Sequence, residues 1–97
     1  MIYALHPSAE QDIADALGFY TEKAGLIVAR RFLEEFERVA KLLISHPNLG
    51  TPTTNGRRVF PLKMFPYSIV YRSLDTGILI VVVRHQYRNP SFGASRR

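Results

Sequence analysis

The chain has 97 residues, 46% of them hydrophobic and 22% charged, with a formal net charge of +5. This length predicts one domain over residues 1–97, with a single core and with residues 93–97 as a loose tail. The absence of cysteine excludes disulfides, thiolate zinc sites and thiol nucleophiles, and it suits a reducing compartment. No signal peptide is visible and no apolar run reaches the roughly 20 residues of a membrane span, so a cytoplasmic protein without membrane contact is expected.

The positive charge is concentrated in the second half of the chain. Residues 1–56 contain five Lys or Arg and seven Asp or Glu, whereas residues 57–97 contain eight Lys or Arg and one acid, Asp75. Such a field attracts polyanions, either nucleic acid or an acidic protein segment. The alternative is a solvated basic surface that binds nothing.

Two helices follow a short strand predicted at residues 2–5. Residues about 8–24 repeat apolar side chains at helical spacing, Pro7 suits a first helical turn, and Ser8 with Gln11 has the spacing of a capping box. Gly25 ends this helix. A second helix is predicted over about 26–45, because it carries an apolar stripe and stops before Pro47; the stripe consists of Val28, Phe32, Phe36, Val39 and Leu43.

Three strands are predicted after a loop at residues 47–56. The first covers residues 57–63, where Pro61 indicates an edge or bulged strand. The second, residues 67–73, alternates in type, so that Tyr67, Ile69 and Tyr71 share one face. After turn residues 75–77, residues 78–83 are apolar on both faces, which predicts a central strand covered on both sides.

The order of these elements predicts an α+β fold. We expect an N-terminal strand and a two-helix hairpin packed on an antiparallel sheet whose last three strands form a meander. The buried last strand leads directly into polar residues, and it therefore holds them rigidly at the end of the sheet: Arg84, His85, Tyr87 and Arg88.

Three segments carry a resemblance to a known family. They read ARRFLEEFERVAKLLISHPNLG from residue 29, GRRVFPLKMFPYSIVYR from residue 56 and VVVRHQYRNP from residue 81. In this order and spacing the chain resembles the RelE/ParE toxins of type II toxin–antitoxin pairs over about residues 3–92, and it is most similar to the ParE-like plasmid stabilisation toxins. The resemblance implies a growth-inhibiting cytoplasmic toxin with the fold predicted above, without a cofactor, held inactive by a cognate antitoxin.

The superfamily has two modes of action, and the resemblance leaves both open. RelE-like members cut messenger RNA on the ribosome without a metal, whereas ParE-like members poison DNA gyrase and need no catalytic constellation. This chain departs from the ribonuclease pattern, because Ser68 stands where many such members have an Arg and Gln86 stands where many have a His. We therefore expect gyrase inhibition. A ribonuclease would use Arg84, Tyr87, Arg57 and Lys63, and a third alternative is an inactive relative that binds only the antitoxin.

The candidate residues for binding the target or the antitoxin come from the basic half of the chain. No catalytic residue is assigned, and no metal site is expected because the three histidines lie far apart in sequence without a carboxylate pattern near His85. His85 serves equally well as a brace for the fold. The binding candidates are Arg57, Arg58, Arg72, Arg84, His85, Tyr87 and Arg88.

Overall fold

Two α-helices and five strands follow one another along the computed structural model, which describes residues 2–87 and 92–96. The first strand, β1 (Ile2–Leu5), leads into helices α1 (Pro7–Ala24) and α2 (Leu26–Ser45). The other strands are β2 (Thr51–Pro52), β3 (Arg58–Pro61), β4 (Tyr67–Leu74) and β5 (Gly77–His85), with a 3-10 turn, Thr54–Gly56, before β3.

Both predicted helices are confirmed, but the residue that caps α1 differs from the prediction. The Nδ1 atom of His6 accepts a hydrogen bond from the backbone N–H of Ser8 at 3.0 Å, so His6, not Ser8, is the N-cap. Gly25 connects the helices with a φ of 94°, a conformation that would strain other residues. This glycine is the physical reason why the two helices form a tight hairpin.

The sheet has the strand order β1-β5-β4-β3-β2. The predicted antiparallel meander of β3, β4 and β5 is confirmed, but β1 pairs with β5 in parallel, so the sheet is mixed and not antiparallel throughout. Four apolar residues carry no signal of strand direction. The helical hairpin sets that direction by returning the chain to the far edge of the sheet. The two-residue strand β2 lies in the predicted loop and is too short to show a pattern.

One face of the sheet packs against the two helices. The side chains of Tyr67, Ile69 and Tyr71 lie on this face, as their alternation predicts. The core between the layers is made largely of aromatic and branched side chains, including Phe32, Phe36, Val39, Leu43, Ile69, Tyr71, Ile78 and Ile80, which are at most 1% exposed. Burial of this surface is the main driving force for folding.

The C-terminal segment, residues 92–96, covers part of the opposite face. Phe92 packs on an apolar cluster made of Val70, Val81 and Val82. Gly93 has a φ of 79°, and a Cβ atom there would lie 2.5 Å from a methyl carbon of Val82, so only glycine fits this approach. The tail predicted to be loose from residue 93 is therefore held against the sheet as far as residue 96. Its polar sequence conceals this packing.

A carboxylate on α2 anchors the loop between β3 and β4. Glu35 forms an ion pair with Arg38 at 2.7 Å and also accepts the backbone N–H of Lys63 at 2.7 Å. The hydrogen bond from Arg38 holds the pKa of Glu35 below its usual value, with a smaller contribution from the Lys63 N–H. The link therefore stabilises the fold only while Glu35 is ionised.

Replacing Glu35 by glutamine should flatten the acid limb of the stability profile. Because the pKa of Glu35 is lower in the folded than in the unfolded state, its contribution is complete well above the unfolded value of about 4.3 and is lost as pH falls through the folded value. Urea unfolding at several pH values between about 3 and 6 would measure this. The exposed neighbour Glu34, changed to Gln, is the matched control. Equal slopes for the two variants would contradict the assignment.

Candidate functional site

Three arginines lie on the sheet face away from the helices. Arg72 follows Val70 at strand spacing, and Arg84 is opposite Ser68, so both share the face of the Val70 cluster. Arg57 lines the same concave surface as Arg72. We call Arg57, Arg72 and Arg84 the basic face. It contains three of the seven predicted binding residues.

Arg57 has a structural role in addition to its charge. Its guanidinium donates to the carbonyl oxygen of Gly93 at 3.1 Å and to the carbonyl oxygen of Arg96. These contacts fasten the C-terminal segment to the sheet. They also hold the guanidinium in one orientation beside Arg72.

Arg58 and Lys63 lie away from the basic face. Arg58 is paired with Tyr71 in the ladder and donates to the carbonyl oxygens of Asn48 at 3.2 Å and Gly50 at 2.8 Å, so it holds the loop after α2. Lys63 lies in the β3–β4 loop beside α2, where it lines a groove with Glu34, Glu35, Arg38 and Met64. The sequence could not show this, because it does not reveal where the loop folds back.

The four residues proposed for a ribonuclease lie in separate places. Arg84 is level with Ser68, and Arg57 lies beyond the Arg58–Tyr71 pair, near the level of Arg72. Four residues of strand put these two arginines about 13 Å apart along the sheet. Lys63 lies on the helix side, and Tyr87 is 90% exposed beyond the end of β5. General acid–base chemistry needs groups within hydrogen-bond reach of one phosphate, so this arrangement favours binding roles.

His85 lies at the end of β5 between two tyrosine rings. The centroid of the imidazole ring lies 5.0 Å from the ring centroid of Tyr67 and 5.2 Å from that of Tyr87. The Nδ1 atom accepts the backbone N–H of Tyr87 at 3.2 Å, so that nitrogen carries no proton in this arrangement. His85 thus braces the chain where it leaves the sheet. Arg88 lies outside the described residues.

Tyr67 belongs to the core rather than to an exposed stacking platform. The centroid of its ring lies 5.2 Å from the ring centroid of Phe32 and 6.2 Å from that of Tyr20. Burial, followed by the proximity of Tyr67, raises the pKa of Tyr20. The hydroxyl of Tyr20 therefore stays protonated near neutral pH and supplies no general base there.

Asp12 and Arg96 form a clamp that the sequence did not indicate. β1 pairs with β5 only as far as Ile80, and beyond that point an Asp12 oxygen accepts the backbone N–H of Val83 at 3.0 Å. Arg96 donates to that same oxygen at 2.6 Å and to the carbonyl of Val81 at 3.2 Å. One ion pair therefore completes the edge of β5 and ties α1 to the C-terminal segment. Asp12 looks like any other acid on a solvated helix face.

Two other classes of site, a metal centre and a membrane-spanning helix, are not found among the described residues. Within residues 2–87 and 92–96, no three His, Asp or Glu side chains come together in a way that could hold a metal ion. In the same part of the chain, neither helix combines the length and the apolar character that crossing a membrane requires.

Known proteins with similar sequences and structures form a consistent set. The family model described as "ParE toxin of type II toxin-antitoxin system, parDE" matches residues 3–90. The proteins named Toxin ParE2 from two Mycobacterium tuberculosis strains, CDC 1551 / Oshkosh and H37Rv, are each 30% identical over 87 residues, which is 90% of this chain and 83% of the relative. A structure titled "Chromosomal ParDE TA system from P. aeruginosa" has a TM-score of 0.76 at 20% identity, covering 88% of this chain and 95% of the other, and this match supports the fold.

Proposed function

Because the chain belongs to the ParE toxin family of type II toxin–antitoxin systems, we propose that it inhibits DNA gyrase and is neutralised by a cognate antitoxin. The observation that carries the proposal is the family match over residues 3–90. The separation of Arg57, Arg84, Lys63 and Tyr87 adds support, because a gyrase poison acts by binding and needs no shared reaction centre.

In this proposal the basic face is the part of the toxin that meets its target. Arg72 is exposed and Arg84 is half-buried, and both project from paired strands that hold their backbones rigidly. Backbones held in this way lose little further entropy on binding, and the positive charges steer the toxin towards a target that holds DNA. An antitoxin that covers the same face would block the encounter. No cofactor or metal takes part.

Induced expression without antitoxin tests the proposal directly. Cells are pulsed separately with precursors of DNA, RNA and protein, and DNA-damage signalling is followed in parallel. Early loss of DNA synthesis together with double-strand breaks is the expected result. Early loss of protein synthesis with cleaved messages would instead establish a ribonuclease, and normal growth would establish an inactive relative.

Replacing Arg84 by glutamine should weaken gyrase inhibition by about tenfold or more, because arginines at the desolvated centre of an interface are frequent hot spots of binding. The measurement is the toxin concentration that halves supercoiling of relaxed plasmid by purified gyrase. Lys41 is exposed on α2, so K41Q removes the same charge from the opposite layer and should leave inhibition unchanged. Equal losses in both variants would point to net charge and not to the basic face.

A further inference from the structure

We propose that a concave surface on the basic face binds the phosphodiester backbone of nucleic acid. The surface lies between the 3-10 turn, the beginning of β3, the middle of β4 and the C-terminal segment, and its volume is about 480 Å³. We call it the phosphate pocket, and its polar lining consists of Asn55, Arg57, Arg72 and Ser95, beside Ala94 and Arg96. The inference rests on the proposed function in one respect: gyrase makes duplex DNA the expected nucleic acid.

Three arginines line the phosphate pocket, and among the described residues only one of them, Arg96, forms an ion pair with a carboxylate. Seven of the eight acids lie in residues 10–37, within the helices on the other side of the sheet. Among the described residues the ion pairs are Arg38 with Glu35 and Arg96 with Asp12, so neither Arg57 nor Arg72 has a carboxylate partner there. A concave wall concentrates such a field and raises the local concentration of anions.

Arg57 is positioned for a phosphate before any ligand arrives. Its two bonds to the carbonyl oxygens of Gly93 and Arg96 use two of the five N–H donors of a guanidinium. A guanidinium matches the geometry of a phosphate with two parallel hydrogen bonds. Because the side chain is already held, binding costs little additional conformational entropy.

The other lining groups add donors around the two arginines. Arg72 is exposed on β4 and faces the same pocket. Asn55 adopts the left-handed conformation, with a φ of 60°, within the turn Thr54–Gly56, and it lines the pocket together with Arg57. Ser95 brings a hydroxyl from the C-terminal segment. Amides, hydroxyls and guanidinium groups are the side chains that contact phosphate oxygens in nucleic-acid complexes.

The same surface is poorly suited to an acidic peptide. A peptide that folds on binding needs apolar surface to offset its ordering entropy. On this face the apolar cluster of Val70, Val81 and Val82 is already covered by Phe92. Phosphodiester binding needs only charge and donors, because counterion release supplies most of its free energy. The observations therefore favour nucleic acid.

The test measures binding of the purified full chain, without gyrase, to a fluorescently labelled 20-base-pair duplex by polarisation. Affinities are measured between about 50 and 200 mM salt. Each phosphate contact contributes about −0.9 to the slope of the logarithm of the association constant against the logarithm of the salt concentration. Arg72→Gln should make this negative slope shallower by about 1 and should weaken binding at every salt concentration. Arg30→Gln, the same charge change at an exposed position of α2, should leave the slope unchanged.

A second variant tests whether removing a negative charge near the phosphate pocket strengthens binding to the duplex. Asp75 is the only acid after residue 37 and lies in the turn that follows β4, three residues from Arg72. Asp75→Asn should therefore tighten binding to the duplex. Thermal unfolding of each variant confirms that the fold is intact. Equal slopes for Arg72→Gln and Arg30→Gln, or no measurable binding by the natural chain, would overturn the inference.

Further arms of the same assay identify the source of the phosphate. Binding of single-stranded RNA with the same dependence on Arg72, or competition by inorganic phosphate, supports phosphodiester recognition. If a polyglutamate peptide of equal charge displaces the labelled duplex as well as unlabelled DNA does, the inference is overturned in favour of an acidic peptide. A chain that binds DNA through Arg72 but does not inhibit gyrase refutes only the proposed function. Gyrase inhibition without Arg72-dependent DNA binding refutes only this inference.

Discussion

Replacing Asp12 by alanine is expected to lower the free energy of unfolding by about 3 kcal/mol, which is a fall in Tm of at least about 12 °C for a domain of this size. The carboxylate is 9% exposed and accepts hydrogen bonds from Arg96 and from the backbone of Val83. Its removal leaves a guanidinium without its partner and an N–H of β5 without its acceptor. Urea unfolding followed by circular dichroism measures the loss.

Two comparisons separate the clamp from a general effect of charge. Asp15 is an exposed acid about one turn after Asp12 in α1, and D15A should cost less than about 0.5 kcal/mol. The double variant D12A/R96M should lose much less stability than the sum of the losses in D12A and R96M, because each single change already breaks the ion pair. The C-terminal segment should also become sensitive to limited proteolysis in D12A. A D12A protein as stable as D15A would contradict the clamp.

Replacing Gly50 by alanine is the second change with a large expected effect, about 2–3 kcal/mol of destabilisation. A Cβ atom at this buried position would lie 2.7 Å from the hydroxyl oxygen of Tyr71 and 2.9 Å from its ring carbon Cε1. Tyr71 is fully buried, accepts the N–H of Gly50 at 3.0 Å and donates to the carbonyl of Pro47 at 2.8 Å. The ring therefore has no space into which it can move.

Gly18 provides a matched control for this substitution. It lies within α1 with nothing within 4 Å of an added Cβ atom, so G18A should stabilise the protein by about 0.5–1 kcal/mol. Tyr71→Phe alone should cost about 1–3 kcal/mol, since it leaves buried backbone groups unpaired. In that background G50A should cost less than in the natural chain, because the closest atom is gone. Additive costs would show that the hydroxyl contact is unimportant.

Periodicity was sufficient to predict the helices and the faces of β4. The apolar stripe of α2 and the glycine at position 25 are signals that lie within a few residues of the structure they predict. The structure has α2 at Leu26–Ser45, as predicted. The alternation of Tyr67, Ile69 and Tyr71 likewise identified the face that meets the helices. Local patterns reveal local geometry, because both helix and strand repeat within a few residues.

The site required information that local patterns do not contain. Arg57, Arg58 and Lys63 are close in sequence, yet Arg57 fastens the C-terminal segment, Arg58 holds the loop after α2 and Lys63 lies beside α2. Strand alternation separates Arg57 from Arg58, but only the folded chain shows which partner each one meets. Arg96 belongs to a segment with no periodic signal, so its pairing with Asp12 could not be predicted.

The sequence by itself determined the family, the two-layer α+β class, the order of the main elements and the concentration of positive charge in the second half of the chain. These properties depend on composition and on short-range spacing. The tertiary structure alone decided the parallel pairing of β1, the placement of residues 92–96 on the sheet and the division of the arginines between structural and exposed positions. Each of these depends on contacts between residues far apart in the chain, and no local pattern records such contacts.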